Sequence, residues 1–306
     1  MPLMSQFKEK LGSYFGTRRL ERLATLNPET KLTLSLLRKS PLAIAGISMV
    51  LLFVLIVIFG PYVTPYDPYK LDLSSRFLPP SPAHLFGTDG EGRDIFSRVL
   101  CGARYSFAAG MVPVFSAVVM GVILGALAGF KGGKIEDLLM RITDMFLAFP
   151  STILAMAIAA GLGPSLTNAM IAMVVVWWPS YARLVRGNVL SVKETEYIEA
   201  ARATGETDLN LIFRYVLPNV LSPIIVMATL DIGGAILTAA GLSFIGLGAQ
   251  PPIPEWGAMV NAARIYALEY WWLPTFPGLA ILVAVLGFNL FGDGLRDVLD
   301  PRLRRV

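Results

Sequence analysis

The chain has 306 residues, 55% apolar and 16% charged, with a formal net charge of +4. Soluble domains carry about 25% charged residues, so the composition excludes an ordinary soluble globule and predicts an all-α, polytopic, multi-pass cell-membrane protein. One cysteine (Cys101) and one histidine (His84) exclude an internal disulfide, a cysteine metal cluster and a histidine-built zinc site.

Residues 1–40 are polar and basic and read as a cytoplasmic N-terminal tail, with a surface helix around Phe7–Phe15 and no cleaved signal peptide. Residues 41–63, apolar from Leu42, are the first transmembrane helix, with Pro61 and Pro65 marking its outer end. Residues 64–102 form a long, proline-rich extracytoplasmic loop. In it Gly87-Thr88-Asp89 and Gly92-Arg93-Asp94 suit tight turns, and Asp94 suits the cap of the helix that follows. His84 reads as a solvated loop histidine.

Residues 103–291 carry five further spans. The second, Ala103 to Phe130, places Gly121, Gly125 and Gly129 four apart, a pattern for close helix contact. Lys131-Gly132-Gly133-Lys134 fails as a phosphate loop, because Ala128 and Ile135 stand where Gly and Ser or Thr belong. The third span is Ile135 to Leu162, with Pro150 inside it, and Asp144 is placed to pair with Arg141. The fourth is Leu166 to Val185, the fifth Leu221 to Leu247 and the sixth Thr275 to Phe291. Trp256, Trp271 and Trp272 in the loop Gly248–Pro274 suit a membrane boundary. Asp231 lies deep in the fifth span and reads equally as a lining residue of a translocation path or as a hydrogen-bond partner of another helix. Residues 292–306 form a C-terminal tail.

Of the 26 Lys and Arg, 20 fall in the two tails, the 131–141 loop and the 183–214 region, and 6 on the other side. The positive side is cytoplasmic, so the expectation is six spans with both termini inside. Basic residues scattered between spans fit such loops and not nucleic-acid binding.

The polar segment 193–219 is the most informative. Helix formers from Lys193 to Thr204 predict one helix, Gly205 a left-handed stop, and Thr207 or Asp208 the cap of a second. Leu209, Ile212, Phe213 and Val216 fall on one helical stripe, and Pro218 is expected to end that helix. This elbow resembles the cytoplasmic coupling loop of ABC-importer permeases. Glu199-Ala200-Ala201, Gly205 and Leu217-Pro218 stand at the family spacing, with Tyr215 where many relatives have His.

The runs 85–107, 140–151, 181–205, 229–237, 242–252 and 289–304 extend the resemblance to the C-type permeases of peptide/nickel ABC importers. That resemblance implies a type I importer permease, itself non-catalytic, with no cofactor of its own. Its expected partners are a second homologous permease, two ATP-binding cassette ATPases that use ATP and Mg, and an extracytoplasmic substrate-binding protein. It also implies ATPase coupling through Glu199, Ala200, Ala201, Gly205, Leu209, Phe213, Leu217 and Pro218, and a di- or oligopeptide substrate, with nickel or oligosaccharides as alternatives. A secondary transporter is the other class. It would need coupling acids or broken helices in repeated halves, and the chain offers one deep acid and no evident repeat.

Overall fold

A computed structural model describes residues 41–299. The basic segment 1–40, with the surface helix expected near its start, and residues 300–306 lie outside the described residues.

Among the described residues ten α-helices follow in chain order: α1 (Pro41–Val63), α2 (Ile95–Lys131), α3 (Gly133–Leu147), α4 (Ser151–Leu162), α5 (Leu166–Lys193), α6 (Glu196–Ala203), α7 (Asp208–Asn210), α8 (Leu217–Ile245), α9 (Trp256–Ala263) and α10 (Trp272–Leu299). A π-helical segment, Leu211–Val216, joins α7 to α8. Among the described residues the only β pairing is an isolated antiparallel bridge between Thr88 and Asp94.

Among the described residues, four stretches are long and apolar enough to cross a membrane: α1, α2, Asp208–Ile245 and Trp272–Val298. Helices α3 and α4 meet at 88° and count as a fifth only if the bent pair is one span. The unbroken third span expected across Pro150 is therefore corrected. The residue before a proline is pushed out of the α region, and Pro150 stands at the start of α4 instead of inside a helix. The expected fourth span, α5, is a 28-residue helix but is less apolar than the others. Its second half carries Pro179, Ser180, Arg183, Arg186 and Lys193.

This polarity is met by neighbours. Arg183 pairs with Asp144, correcting the expected Asp144–Arg141 pair, and Arg186 pairs with Glu136. Both bridges tie α5 to α3.

The spine of the fold is α2 against α5. The glycine ladder brings the backbones together: a Cβ on Gly121 would lie 2.3 Å from Tyr181 Cβ, and one on Gly125 2.4 Å from the Ala182 carbonyl. Small residues also let α1 onto α10, where Gly46 faces the Phe291 backbone and Gly294 faces Ala43. Much of α1 (Leu51, Leu52, Leu55, Ile58 and Phe59) is exposed, as an all-apolar lipid-facing helix requires. Helix α10 runs on to Leu299, so residues 292–299 continue the last helix and are not a separate tail.

At the start of α2 the long loop is folded. Gly87 and Gly92 take φ of +76° and +75°. Thr88 Oγ1 donates to Ser75 O at 2.5 Å and accepts from Leu78 N at 2.8 Å. Asp94 caps α2 through Ser97 N at 2.8 Å, and its other oxygen lies 2.9 Å from His84 Nδ1. His84 is 15% exposed and packs on Tyr66, which corrects the solvated reading. The second loop closes over the same end. Trp256 Nε1 donates to Val99 O at 3.0 Å, and the Phe77 ring stacks on Tyr270 at 4.3 Å. Glu255, 1% exposed, caps α9 through Gly257 N and Ala258 N and meets the Ser106 hydroxyl of α2. Burial pushes its carboxyl above the usual range, and these hydrogen bonds pull it back.

Candidate functional site: the elbow between α5 and α8

At about 1.5 Å per residue, α2 carries the chain roughly 55 Å from the loop end to the elbow. The first elbow helix, α6, is amphipathic in a simple way. Ile198 and Ala201, three residues apart, are buried, while Tyr197, Glu199, Ala200 and Ala203 point out. Gly205 then turns the chain at φ +88° with nothing within 4 Å of where a Cβ would stand. Only the backbone geometry calls for glycine there. Thr207 makes the next cap, accepting from Asn210 N at 3.4 Å.

Beyond Asn210 the structure departs from the sequence reading. Residues Leu211–Val216 are π-helical, and Leu217 N–H donates to Ile212 O, five residues back. The wider turn changes the face: Leu211, Ile212 and Val216 are buried, whereas Leu209 and Phe213 are 66% and 67% exposed. The single stripe expected from Leu209, Ile212, Phe213 and Val216 is thus split in two. Nor does Pro218 end the helix. It occupies the first turn of α8, where a proline costs little because the early N–H groups lack intrahelical partners. The second arm of the elbow is continuous with the fifth span.

The inward face belongs to a core shared with three long helices. Ile198, Ala201, Leu211, Ile212 and Val216 pack with Phe130 of α2, Trp178, Tyr181, Val185 and Val189 of α5, and Val220 and Ile224 of α8. Two polar contacts add to it at the end of α2. Lys131 Nζ lies 2.8 Å from Asp208 Oδ2, and the Arg202 guanidinium lies 5.9 Å from the Phe130 ring centre. Both partners of the Lys131–Asp208 pair are about half exposed, so solvent screens that pair, and the apolar core holds the elbow.

The candidate coupling residues divide accordingly. Glu199, Ala200, Gly205, Leu209, Phe213 and Pro218 are on the surface, Leu217 is half-buried, and Ala201 is 8% exposed. Ala201 is corrected from a docking-surface residue to a packing one, since the 3.6-residue period turns it inward beside Ile198. Sequence reasoning missed Tyr197, 44% exposed beside the alanines, and the clamp of α2 on the elbow. Lys131, at the end of the second span, was the available signal for the clamp.

Asp231 is remote from the elbow surface. Tyr181 Oη donates to its Oδ2 at 2.6 Å, so the hydrogen-bond reading is met. Asp231 also lines a cavity of about 140 Å³ with Phe146, Phe149, Trp177, Ser180 and Met227.

Comparison with known proteins accords with this architecture. Residues 121–305 match the family model for the binding-protein-dependent transport system inner membrane component, and residues 30–80 match that for the N-terminal TM domain of oligopeptide transport permease C. The chain is 51% identical over 267 residues to the probable D,D-dipeptide transport system permease protein DdpC of Escherichia coli K12, spanning 87% of this chain and 90% of that one. It is 49% identical to the dipeptide transport system permease protein DppC of Alkalihalophilus pseudofirmus, with 88% of each chain covered. It is 46% identical to the glutathione transport system permease protein GsiD of Pectobacterium atrosepticum, over 86% of this chain and 87% of that one. The fold matches a chain of the inward-facing MetNI methionine ABC transporter (CY5 native crystal form) at TM-score 0.53 and 22% identity, over 65% of this chain and 95% of that one. The chain belongs to the binding-protein-dependent transport system inner membrane components, as a multi-pass inner-membrane permease.

Proposed function

We propose that this chain is one of two related permeases in an ATP-binding cassette importer of di- and oligopeptides, and that its elbow receives the push of a cytosolic ATPase. The observation that carries the coupling role is the two-sided elbow. Its inner face is built into the core of α2, α5 and α8, while Tyr197, Leu209 and Phe213 stand bare on the outer face. Exposed apolar side chains grouped in this way mark a partner surface. The chain itself does no catalysis; two ATPase subunits bind ATP and Mg. An extracytoplasmic binding protein delivers the substrate at the opposite end, and both termini face the cytoplasm with the elbow.

The mechanism follows from stiffness. A force on Leu209 and Phe213 enters a helix continuous with α8 through the π segment. The same core is packed on α5, which the glycine ladder locks to α2. Close-packed interiors transmit displacement because they have little free volume to absorb it. The three helices therefore tilt together, and the path between the two permeases opens to one side or the other. Glu199 offers its charge and Ala200 a close approach to the ATPase.

The peptide substrate is supported by the relatives, whose names specify dipeptide, D,D-dipeptide and glutathione transport. The test is uptake into proteoliposomes holding the full complex and its binding protein. Labelled di- to oligopeptides are expected to accumulate only with ATP. Accumulation of nickel or an oligosaccharide, with neither peptide uptake nor peptide competition, refutes the substrate.

A further inference from the structure

Asp231 stands halfway along α8, at a depth where a carboxylate needs a partner or water. Its hydrogen-bond partner is neutral: Tyr181, itself 0% exposed, donates to Oδ2. Among the described residues no Lys, Arg or His forms an ion pair with Asp231. Its side chain instead borders a cavity of about 140 Å³ walled by Phe146, Phe149, Trp177, Met227 and Ser180. Of these walls Phe149 is the exposed one, at 61%.

This lining selects for one kind of group. A carboxylate repels anions, and a neutral apolar guest would leave it unpaired. Aromatic rings attract cations to their faces, by about 0.5–2 kcal/mol, and the Ser180 hydroxyl can accept an N–H. A compact cation with several donors, able to satisfy carboxylate, hydroxyl and ring at once, is a primary ammonium. Tyr181 acts here as a positioning residue that occupies Oδ2 and leaves Oδ1 to the guest.

We propose that Asp231 and the aromatic cavity beside it bind a primary ammonium group, and that during transport this is the N-terminal amine of the peptide. The second half of that statement rests on the peptide reading above; the first does not. The site acts on the substrate after the binding protein has released it, so it selects for a free amine within the membrane.

The test is equilibrium dialysis on the purified complex of permeases and ATPases, without the binding protein, using labelled dialanine, N-acetyl-dialanine and ethylammonium. Dialanine and ethylammonium are expected to bind, with N-acetyl-dialanine at least about tenfold weaker. D231N should abolish that preference in a complex that still assembles, and D231E should keep it. The wild-type comparison needs no variant: equal binding of dialanine and its acetylated form, or no binding of either amine, overturns the proposal. So does a preference that survives D231N. Asp231-dependent ethylammonium binding in an importer that takes up no peptide sustains the ammonium site and refutes the peptide reading alone.

Discussion

The sharpest structural prediction concerns the ladder that joins α2 to α5. A Cβ on Gly125 would stand 2.4 Å from the Ala182 carbonyl oxygen and 2.9 Å from Val185 Cβ, against an ordinary contact of 3.4–4 Å. The nearest obstacle is backbone in the middle of a helix and cannot rotate aside. G125A must therefore move the helices apart by about 1 Å, and a gap of that size forfeits a quarter to a half of the dispersion energy of the facing atoms. Overpacking of this kind costs about 1–3 kcal/mol. A cost of that size lowers Tm by about 2–4 °C per kcal/mol in a chain of this size class. G187A is the control: it lies on α5, and nothing stands within 4 Å of its would-be Cβ. Thermal unfolding of the detergent-purified permease, followed by tryptophan fluorescence, should show G125A several degrees below wild type and G187A unchanged or slightly above. Equal midpoints for the two variants would falsify the close-packed spine.

Further predictions follow from the elbow and the loops. G205V should abolish uptake while leaving the protein in the membrane, because a β-branched residue at φ +88° is strained by about 1–3 kcal/mol; G205N, which tolerates the left-handed region, should retain uptake, and loss in both variants to the same extent would contradict the backbone argument. Thr88 is 0% exposed with two short hydrogen bonds, so T88A should cost about 1–3 kcal/mol and lower the midpoint of the same thermal assay, whereas a neutral result would show the 64–94 loop to be dispensable for stability. Single cysteines at Ser81 and Thr207 in a C101S background should differ toward an impermeant maleimide in intact cells, with label at residue 81 only; label at 207 alone would invert the topology.

Much of the elbow was legible because its signals are local. Gly205 and Thr207 act within one turn, and the structure keeps both. The π segment was not legible, since a 3.6-residue template puts Leu209 and Phe213 on one stripe with Ile212 and Val216. A single wide turn moves them to the surface and lets Pro218 ride in the first turn of a continuous helix. The glycine ladder was read correctly because only one residue type permits such an approach. Pairings set by tertiary packing were missed: Asp144 reaches Arg183 on another helix instead of Arg141 on its own, and His84 is drawn under Tyr66 toward Asp94. The bend at Pro150 was visible as a proline, but its 88° angle depends on where α4 finds α5.

The claim at the centre of the account is that the exposed apolar face of the elbow transmits ATP hydrolysis to the transport path. Leu209 and Phe213 make few contacts within the chain, so L209D/F213D should fold and insert normally, with an unchanged thermal midpoint. The direct measurement is ATP-dependent dipeptide accumulation in proteoliposomes carrying this double variant with wild-type partner subunits. Accumulation should fall at least about a hundredfold, the equivalent of about 2.8 kcal/mol in coupling, although the permease is present at wild-type levels. Accumulation at the wild-type rate would contradict the coupling role of the elbow.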